Sequence, residues 1–313
     1  MDIRDLVVRY GFFAGKRFRW KQKVAFLNYI GNDFQNLGYT VQGQLSDKRK
    51  NYAMNLIVGD LANAKKIVVA HYDTPQRSLF PIKYYPMNEM KSFKAGYLLM
   101  SLPYITLLAL IFLLVYIFND AFGFSGFNLE TILTVLAFLT IFGLSILISV
   151  GIGNRMNLRR NSLAVVTVYA LAEKLKGKKD IAFVLTDREI SDHEGDRMIG
   201  KALPTTLKDR LVVHLHCLGI GPVVGIGFKT ENKTYADSFA KVIDGKHEVF
   251  LKEMDEKEIR GHSLLYYPKS ITISTGEVEN NEILVRSTST KKDSDADVEF
   301  FDSMIDILFG YLK

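Results

Sequence analysis

The sequence predicts an α/β protein whose mixed, mostly parallel sheet carries helices on both faces and is interrupted by a two-helix transmembrane hairpin. Short apolar runs rich in β-branched residues, at residues 67–70, 181–185 and 211–213, are typical of strands buried on both faces. Segments with helical apolar spacing separate these runs, as in α/β folds. Two stretches without a charged residue, 95–119 and 131–154, each exceed the roughly 20 residues that cross a bilayer.

The chain begins with a segment that mixes basic and aromatic residues, GKRFRWKQK at 15–23. This mixture suits a lipid headgroup surface and equally the solvated start of a helix. Apolar spacing then predicts a helix from Trp20 to Leu37, closed by Gly38. TVQGQL and NYAMNLIVGD follow and predict two strands around a polar turn.

The third predicted strand ends in KKIVVAHYDTP, residues 65–75. His71 and Asp73 lie where the strand ends, because Thr74-Pro75 cannot continue it. Ligands bind at the carboxyl ends of strands in open α/β sheets, and a histidine held by a carboxylate is a metal-ligand arrangement. A buried structural histidine beside a capping aspartate explains the same motif, so the remainder of the chain must decide.

The hairpin predicts two membrane spans, at about 96–118 and 131–153, within a segment from 95 to 154. Basic residues flank the pair of spans and the connecting loop holds only acids; the flanking residues are Lys91, Lys94, Arg155, Arg159 and Arg160. The positive-inside rule therefore predicts a cell-membrane protein with both termini in the cytoplasm. Residues 1–90 and 155–313 would then form one split cytoplasmic domain.

Strand and helix continue to alternate beyond the hairpin. The sequence predicts a helix after Asn157, a buried strand at 181–187, and a polar turn that leads into a helix. A strand carrying His214 and His216 follows, then a loop with His262 before another strand, and an amphipathic C-terminal helix. His214 is either a partner of His216 or a core residue.

Composition excludes several classes of protein. The net charge of +6 is modest, and no basic tail or nucleic-acid motif is present, so we expect no nucleic-acid partner. The single cysteine, Cys217, rules out an intramolecular disulfide and a cysteine-based zinc cluster. The first residues lack the apolar core and cleavage site of a signal peptide. Nothing in the sequence predicts an oligomeric state.

The order of segments resembles that of the co-catalytic zinc exopeptidases, which include secreted-type bacterial aminopeptidases and their glutamate carboxypeptidase and glutaminyl cyclase relatives. The resemblance runs from about residue 21 to the C-terminus outside the hairpin, and the segments that carry it are HYDTP, RNSLAVVTVYALAEKL, FVLTDREISDHEGDRMIGKAL, VVHLHCLG and GHSLLYYPKSITIST. It implies an exopeptidase-like domain acting on a peptide or small amide substrate.

The resemblance also implies roles for individual residues. His71 matches the first zinc ligand, and Asp73 matches the carboxylate that orients it. Glu189 matches the general base, and His262 matches the last histidine ligand. Asp73 and Glu189 are thus the expected catalytic residues.

Three positions depart from the family pattern. Arg160 replaces the aspartate that bridges both metals, Ile190 replaces a zinc-binding glutamate, and His216 replaces a ligand aspartate. Two zinc ions about 3.5 Å apart repel each other and need bridging anions, whereas the exchange of a carboxylate for a guanidinium shifts the charge by two units. We therefore expect at most one zinc ion. The residues with the types of a single-zinc site are His71, His216 and His262.

Two functions stay open at this point. One is a membrane-anchored metal-dependent aminopeptidase or amide hydrolase, with Glu189 acting as general base on a bound water. The other is an inactive pseudopeptidase, a membrane-tethered binding or scaffold module in which Arg160 fills the vacated metal space and pairs with Glu189 or Asp73. A polar turn at 192–194, with His193, is either a solvated loop or a source of a substitute ligand.

Overall fold

The computed structural model describes residues 2–47, 52–78, 80–117, 129–202, 209–243 and 245–313. The chain forms two compact units, one of Met1–Phe93 with Gly153–Lys313, the other of Lys94–Ile152. The strands are β1 Val41–Leu45, β2 Met54–Val58, β3 Lys66–His71, β4 Ile82–Tyr84, β5 Ile181–Thr186, β6 Leu211–Leu215, β7 Val223–Phe228, β8 Glu248–Glu253, β9 Ser270–Val278 and β10 Ile283–Thr288. The helices are α1 Ile3–Leu6, α2 Trp20–Asn36, α3 Glu89–Ile117, α4 Leu129–Val150, α5 Leu163–Lys174, α6 Glu194–Ala202, α7 Lys233–Ile243, α8 Glu256–Arg260 and α9 Val298–Leu312, joined by π-helical segments at Val7–Phe13 and Leu158–Ser162 and 3₁₀ turns at Thr230–Asn232 and Ser263–Tyr266.

The sheet of the larger unit is mixed, with strand order β1-β2-β5-β3-β6-β9-β10-β4, while β7 pairs with β8 and β9. This confirms the predicted α/β fold. Parallel pairing is confined to β5-β3-β6-β9 and to β7-β8, whereas the other five described pairs are antiparallel. The sheet is therefore mixed and not mostly parallel, because four of the nine described pairs are parallel and five are antiparallel.

Alternating side chains of β3 pack into separate cores on the two faces of the sheet. Val68 and Ala70 belong to the core on the face covered by α2, α5, α7 and α9. Ile67 and Val69 belong to the core on the opposite face, where α6 contributes Ile199. A strand with helices on both faces must be apolar at successive positions, which explains its continuous apolar sequence. Each buried valine or isoleucine of the strand contributes about 1.5–3 kcal/mol by burial.

The smaller unit contains most of the two apolar helices. Among the described residues one helix, Glu89–Tyr116, is long and apolar enough to cross a membrane, and a shorter apolar run occupies Thr131–Ile146 of α4. The second predicted span is not supported by this criterion and stays a prediction. The connecting loop at 118–128 lies outside the described residues.

The ends of these helices differ from the predicted spans for local reasons. α3 begins at Glu89 because the Asn88 Oδ1 accepts a hydrogen bond from the Lys91 N–H at 2.9 Å, as a helix-capping residue does. α4 ends at Val150, before Gly151 takes φ +70°. A glycine reaches this left-handed conformation without strain, so it stops the helix there.

Candidate functional site

Five of the six histidines meet at the carboxyl ends of the central parallel strands. His71 is the last residue of β3 and lies opposite Thr186 at the end of β5. β6 carries His214 and leads directly to His216, and His262 precedes the 3₁₀ turn before β9. All five residues, including His193, are at most 8% exposed. The sheet topology therefore gathers imidazoles from distant parts of the chain.

The rings contact one another edge to face. The His71 centroid lies 4.8 Å from that of His214 and 5.9 Å from those of His193 and His216. The His262 centroid lies 5.3 Å from His214 and 6.2 Å from His216. The three histidines predicted as metal ligands, His71, His216 and His262, thus lie in one continuous cluster of rings.

Possible ligand atoms within this cluster fall into two separate groups of three. One group is His214, His216 and His262, and the other is His71, His193 and Asp196. The ligand atoms within each group lie within 4.8 Å of one another. The predicted trio is therefore divided between the groups, because His71 faces a carboxylate and a histidine that follow β5.

The His71 group surrounds the hydroxyl of Ser263. Ser263 Oγ lies 2.9 Å from His71 Nε2 and 3.2 Å from His193 Nδ1, and it donates to Asp196 Oδ2 at 2.8 Å. The second nitrogen of His71, Nδ1, lies 2.9 Å from Thr186 Oγ1. Both nitrogens of His71 are thus hydrogen-bonded within the protein, and neither is free to bind a metal as the ring stands.

Charges in this group are arranged as an ion pair. Burial disfavours the charged form of His193, but hydrogen bonds to Asp196 and Glu89 raise its pKa well above the ordinary value. Burial likewise opposes ionisation of Asp196, yet the neighbouring His71 and His193 lower its pKa to about 2. His193 is therefore a cation, and within the group its charge is matched by the single carboxylate of Asp196.

Arg160 lies inside the site and pairs with the predicted general base. Its Nη2 donates to Glu189 Oε1 at 2.5 Å, and the two side chains are only 9% and 1% exposed. The guanidinium also stacks on Tyr84, with its Cζ 3.3 Å from the ring centroid. The Tyr84 hydroxyl lies 3.2 Å from both Glu189 Oε1 and His216 Nε2. Arg160, Glu189, Tyr84 and His216 therefore form one buried polar unit.

This unit makes Glu189 a weak base. Burial would raise its pKa, but the Arg160 charge and the His216 hydrogen bond hold the pKa well below the ordinary value. General bases work best with a pKa near the operating pH, and this carboxylate is far from it. The residues present do not fit the paired zinc centre that the sequence resemblance implies, because the buried Arg160 guanidinium would repel two cations. Ile190, at the position where the resemblance implies a zinc-binding glutamate, is 42% exposed.

Asp73, the predicted orienting carboxylate, is buried beside Glu189 rather than bonded to the His71 ring. Its Oδ1 accepts a hydrogen bond from the Glu189 backbone N–H at 3.3 Å. Burial raises the pKa of Asp73 to about 7, against the opposing charge of Lys23. Thr186 holds the His71 nitrogen that the sequence assigns to Asp73.

Sequence reasoning missed four members of this site: Tyr84, Asp196, Ser263 and Thr186. Tyr84 lies on β4, a strand of three residues that has no periodicity to recognise. Ser263 is 192 residues from His71, so only the folded chain brings the two together. The polar turn holding His193 is solvated only in part, since Asp192 is exposed whereas His193 and Glu194 are buried. The one usable signal was the position of Ser263 directly after His262.

No protein-family model and no curated protein matches this sequence. Solved structures do match its fold. The Legionella pneumophila LapA aminopeptidase has a TM-score of 0.58 at 11% identity, covering 99% of this chain and 69% of its own. The glutaminyl cyclase of Porphyromonas gingivalis has a TM-score of 0.57 at 13% identity, covering 99% and 94%, and that of Macrostomum lignano 0.58 at 10%, covering 98% and 88%. The chain therefore has the fold shared by these aminopeptidases and glutaminyl cyclases.

Proposed function

We propose that this protein is a catalytically inactive pseudopeptidase, a binding or scaffold module that keeps an exopeptidase-like fold and is tethered to a membrane. The buried Arg160–Glu189 ion pair carries the proposal. The pair neutralises the only carboxylate that the resemblance offers as general base. It also places a positive charge where two cations would need an anion, so paired-metal chemistry has no place to occur.

The pair supports the proposal because neighbouring groups hold both of its members in place. Tyr84 covers the guanidinium, and its hydroxyl hydrogen-bonds the same Glu189 oxygen that Arg160 does. Removing one member of such a buried pair typically costs about 3–5 kcal/mol. Releasing Glu189 for proton transfer would carry a cost of this order before any reaction begins.

The test is an activity assay on the full-length chain purified in detergent, with and without added Zn²⁺. The substrates are a panel of aminoacyl fluorogenic amides, which report aminopeptidase activity, and peptides with N-terminal glutamine, which report cyclisation. We expect no turnover above buffer. Turnover that a chelator removes would overturn the proposal. Loss of that turnover in Glu189→Gln, with retention in the exposed control Glu299→Gln, would assign it to this site.

A second candidate is a membrane-anchored, metal-dependent aminopeptidase or amide hydrolase with at most one zinc ion. The observation in its favour is the histidine cluster beside Glu189, whose Oε1 lies 3.4 Å from His216 Nε2. By the resemblance His71, His216 and His262 would hold the metal, which would supply an activated water, and His71 would first have to give up its hydrogen bond with Ser263. Glu189 would have to leave Arg160 to take a proton from it. The same assay separates the two candidates.

Membrane tethering is the other part of the proposal. We propose that α3 and α4 both cross the bilayer, with the soluble portions in the cytoplasm, because both are long apolar helices and Arg155, Arg159 and Arg160 follow the second. In intact cells an impermeant maleimide is expected to label Ser125→Cys in the connecting loop. It is expected to spare Ser191→Cys, an exposed position of the larger unit. Labelling of Ser191→Cys instead would reverse the proposed orientation.

A further inference from the structure

We propose that His214, His216 and His262 bind one divalent first-row transition-metal ion through their imidazole nitrogens. The site differs from the ligand set that the sequence resemblance implies, because it uses His214, which matches no ligand there, and leaves out His71. It also goes beyond the proposed non-hydrolytic function, since an ion held by three buried rings needs no substrate and stabilises the folded chain by binding to it.

The observation that carries the proposal is a set of unpaired nitrogen atoms. His214 Nε2, His216 Nδ1 and His262 Nε2 are buried and have no hydrogen-bond partner. The three side chains are at most 2% exposed, and their ligand atoms lie within 4.8 Å of one another. Buried polar atoms are normally hydrogen-bonded, so three unpaired nitrogens in one place indicate a missing common partner.

In two of the rings, the nitrogen that would not bind the metal is hydrogen-bonded to the protein, which fixes the orientation that metal binding needs. His214 Nδ1 lies 3.0 Å from Thr272 Oγ1, which leaves Nε2 as the lone-pair nitrogen when Nδ1 donates. His216 Nε2 lies 3.2 Å from the Tyr84 hydroxyl and 3.4 Å from Glu189 Oε1, so Nδ1 is the free nitrogen. Metal-binding histidines usually have their second nitrogen fixed by such partners.

His262 needs one adjustment. Its Nδ1 accepts a hydrogen bond from the Leu264 N–H at 3.1 Å, so its proton lies on Nε2. Binding of a cation at Nε2 requires the ring to move that proton to Nδ1, which exchanges one hydrogen bond for one metal–nitrogen bond. A water molecule would instead accept from Nε2–H and donate to the other two rings, and it is the alternative occupant that the experiment must separate from a metal.

The donor set defines the kind of ion. Three neutral imidazoles suit zinc, copper, nickel and cobalt, whereas magnesium and calcium prefer oxygen ligands. Zinc–nitrogen bonds are about 2.0–2.1 Å, which places tetrahedral ligand atoms about 3.4 Å apart, a separation that rings with ligand atoms within 4.8 Å of one another reach by small shifts. The Arg160–Glu189 pair beside His216 is neutral as a whole, so it neither repels nor offsets the charge of the ion to first order.

The test uses Co²⁺ as the probe, because its visible absorption reports imidazole ligation directly. The full-length protein is purified in detergent, stripped with a chelator and titrated with Co²⁺, then with Zn²⁺ to displace it. We expect one Co²⁺ per chain with the intense visible bands of low-coordinate cobalt. Absence of these bands at saturating Co²⁺ would mean that water is the occupant, and it would overturn the proposal.

Variants assign the site. Removing the hydrogen-bond partner of a metal ligand typically weakens metal affinity about 10–100-fold, so we expect Thr272→Val to weaken Co²⁺ binding by this amount. We expect His214→Gln, which removes a ligand, to weaken it by at least about 100-fold. His193→Gln, in the other group, and His247→Gln, outside the cluster, are expected to keep the bands.

Loss of the Co²⁺ bands in His193→Gln but not in His214→Gln would place the ion in the other group and refute the assignment. If His214→Gln does not fold, Thr272→Val, which keeps all three ligands, decides. Because the readout is absorption, this result is independent of the activity assay.

Discussion

At the scale of single residues, Arg160 determines what the site is able to do. Its guanidinium is buried inside the site and is held there by an ion pair with Glu189 and by stacking on Tyr84. The resulting unit is held by electrostatics in a medium of low polarity, where an unpaired charge is costly. Both members therefore depend on each other for the stability of the chain.

We expect Arg160→Ala to lower the free energy of unfolding by about 3–5 kcal/mol, because Glu189 would be left as an uncompensated buried charge. The measurement is denaturant unfolding of the purified protein. The double variant Arg160→Met with Glu189→Gln is expected to be more stable than the single one, since no lone charge remains. Arg260→Ala is the control, because the Arg260–Glu256 pair is 74% and 88% exposed, and a change below about 0.5 kcal/mol is expected. Equal effects at both arginines would contradict this account.

Asp293 predicts a specific dependence of stability on pH. Burial raises its pKa to about 7, while the Arg159 backbone N–H, which donates to Oδ1 at 2.8 Å, opposes the rise. The folded state then holds a proton that the unfolded state releases near pH 4, so stability falls by up to about 1.4 kcal/mol per pH unit between pH 4 and 7. Asp293→Asn removes this loss. The free energy of unfolding of Asp293→Asn, relative to that of the native chain, is expected to rise from pH 5 to pH 8. A difference between the two that does not depend on pH would be inconsistent with a raised pKa.

At the scale of elements, the sequence predicts the central strands, which are buried on both faces, together with β1, β2 and β9. β3, β5 and β6 are continuous apolar runs, and the cores on the two sides of the sheet explain why. The sequence did not predict β4, β7, β8 or β10; β4 has three residues, and β7 contains two glycines that lower strand propensity. Those strands form because their neighbours offer hydrogen bonds and packing, which single-sequence patterns do not contain.

The pairing of β9 with β10 depends on a glycine. A Cβ on Gly276 would lie 2.6 Å from the Leu284 backbone oxygen and 2.9 Å from Ile283 Cγ2, so backbone would have to move. We expect Gly276→Ala to lower the unfolding free energy by about 1–3 kcal/mol, as overpacking does. Gly43→Ala on β1 is the matched control, because nothing lies within 4 Å of its added Cβ. Thermal unfolding of both variants checks this, and a destabilised Gly43→Ala with a native-like Gly276→Ala would refute it.

At the scale of the whole molecule, the candidate site was partly predictable and partly not. The order of segments placed His71, His216, Glu189 and His262 in one region, and the structure brings their elements together at the carboxyl ends of the central strands. The division of the histidines into two groups could not be predicted from the sequence, because it depends on which side chains from distant segments hydrogen-bond each imidazole nitrogen. Ser263 is the clearest case.

The two compact units also lead to a prediction. Since residues 94–152 form a unit of their own, we expect a variant in which a flexible Gly/Ser linker replaces them to remain folded and to be soluble without detergent. The measurement is far-ultraviolet circular dichroism with a cooperative thermal transition close to that of the full chain. Aggregation of this variant alongside a well-behaved full-length protein would show that the larger unit depends on the apolar helices.

The hydrogen bonds to both nitrogens of His71 have a consequence for protein engineering. An acidic residue placed at position 160 alone would leave the ring bonded to Ser263 and Thr186, and position 190 would still lack a carboxylate. The substitution at position 160 would also disturb a satisfied buried network. A design that aims at a paired metal centre in this chain therefore has to change several positions at once.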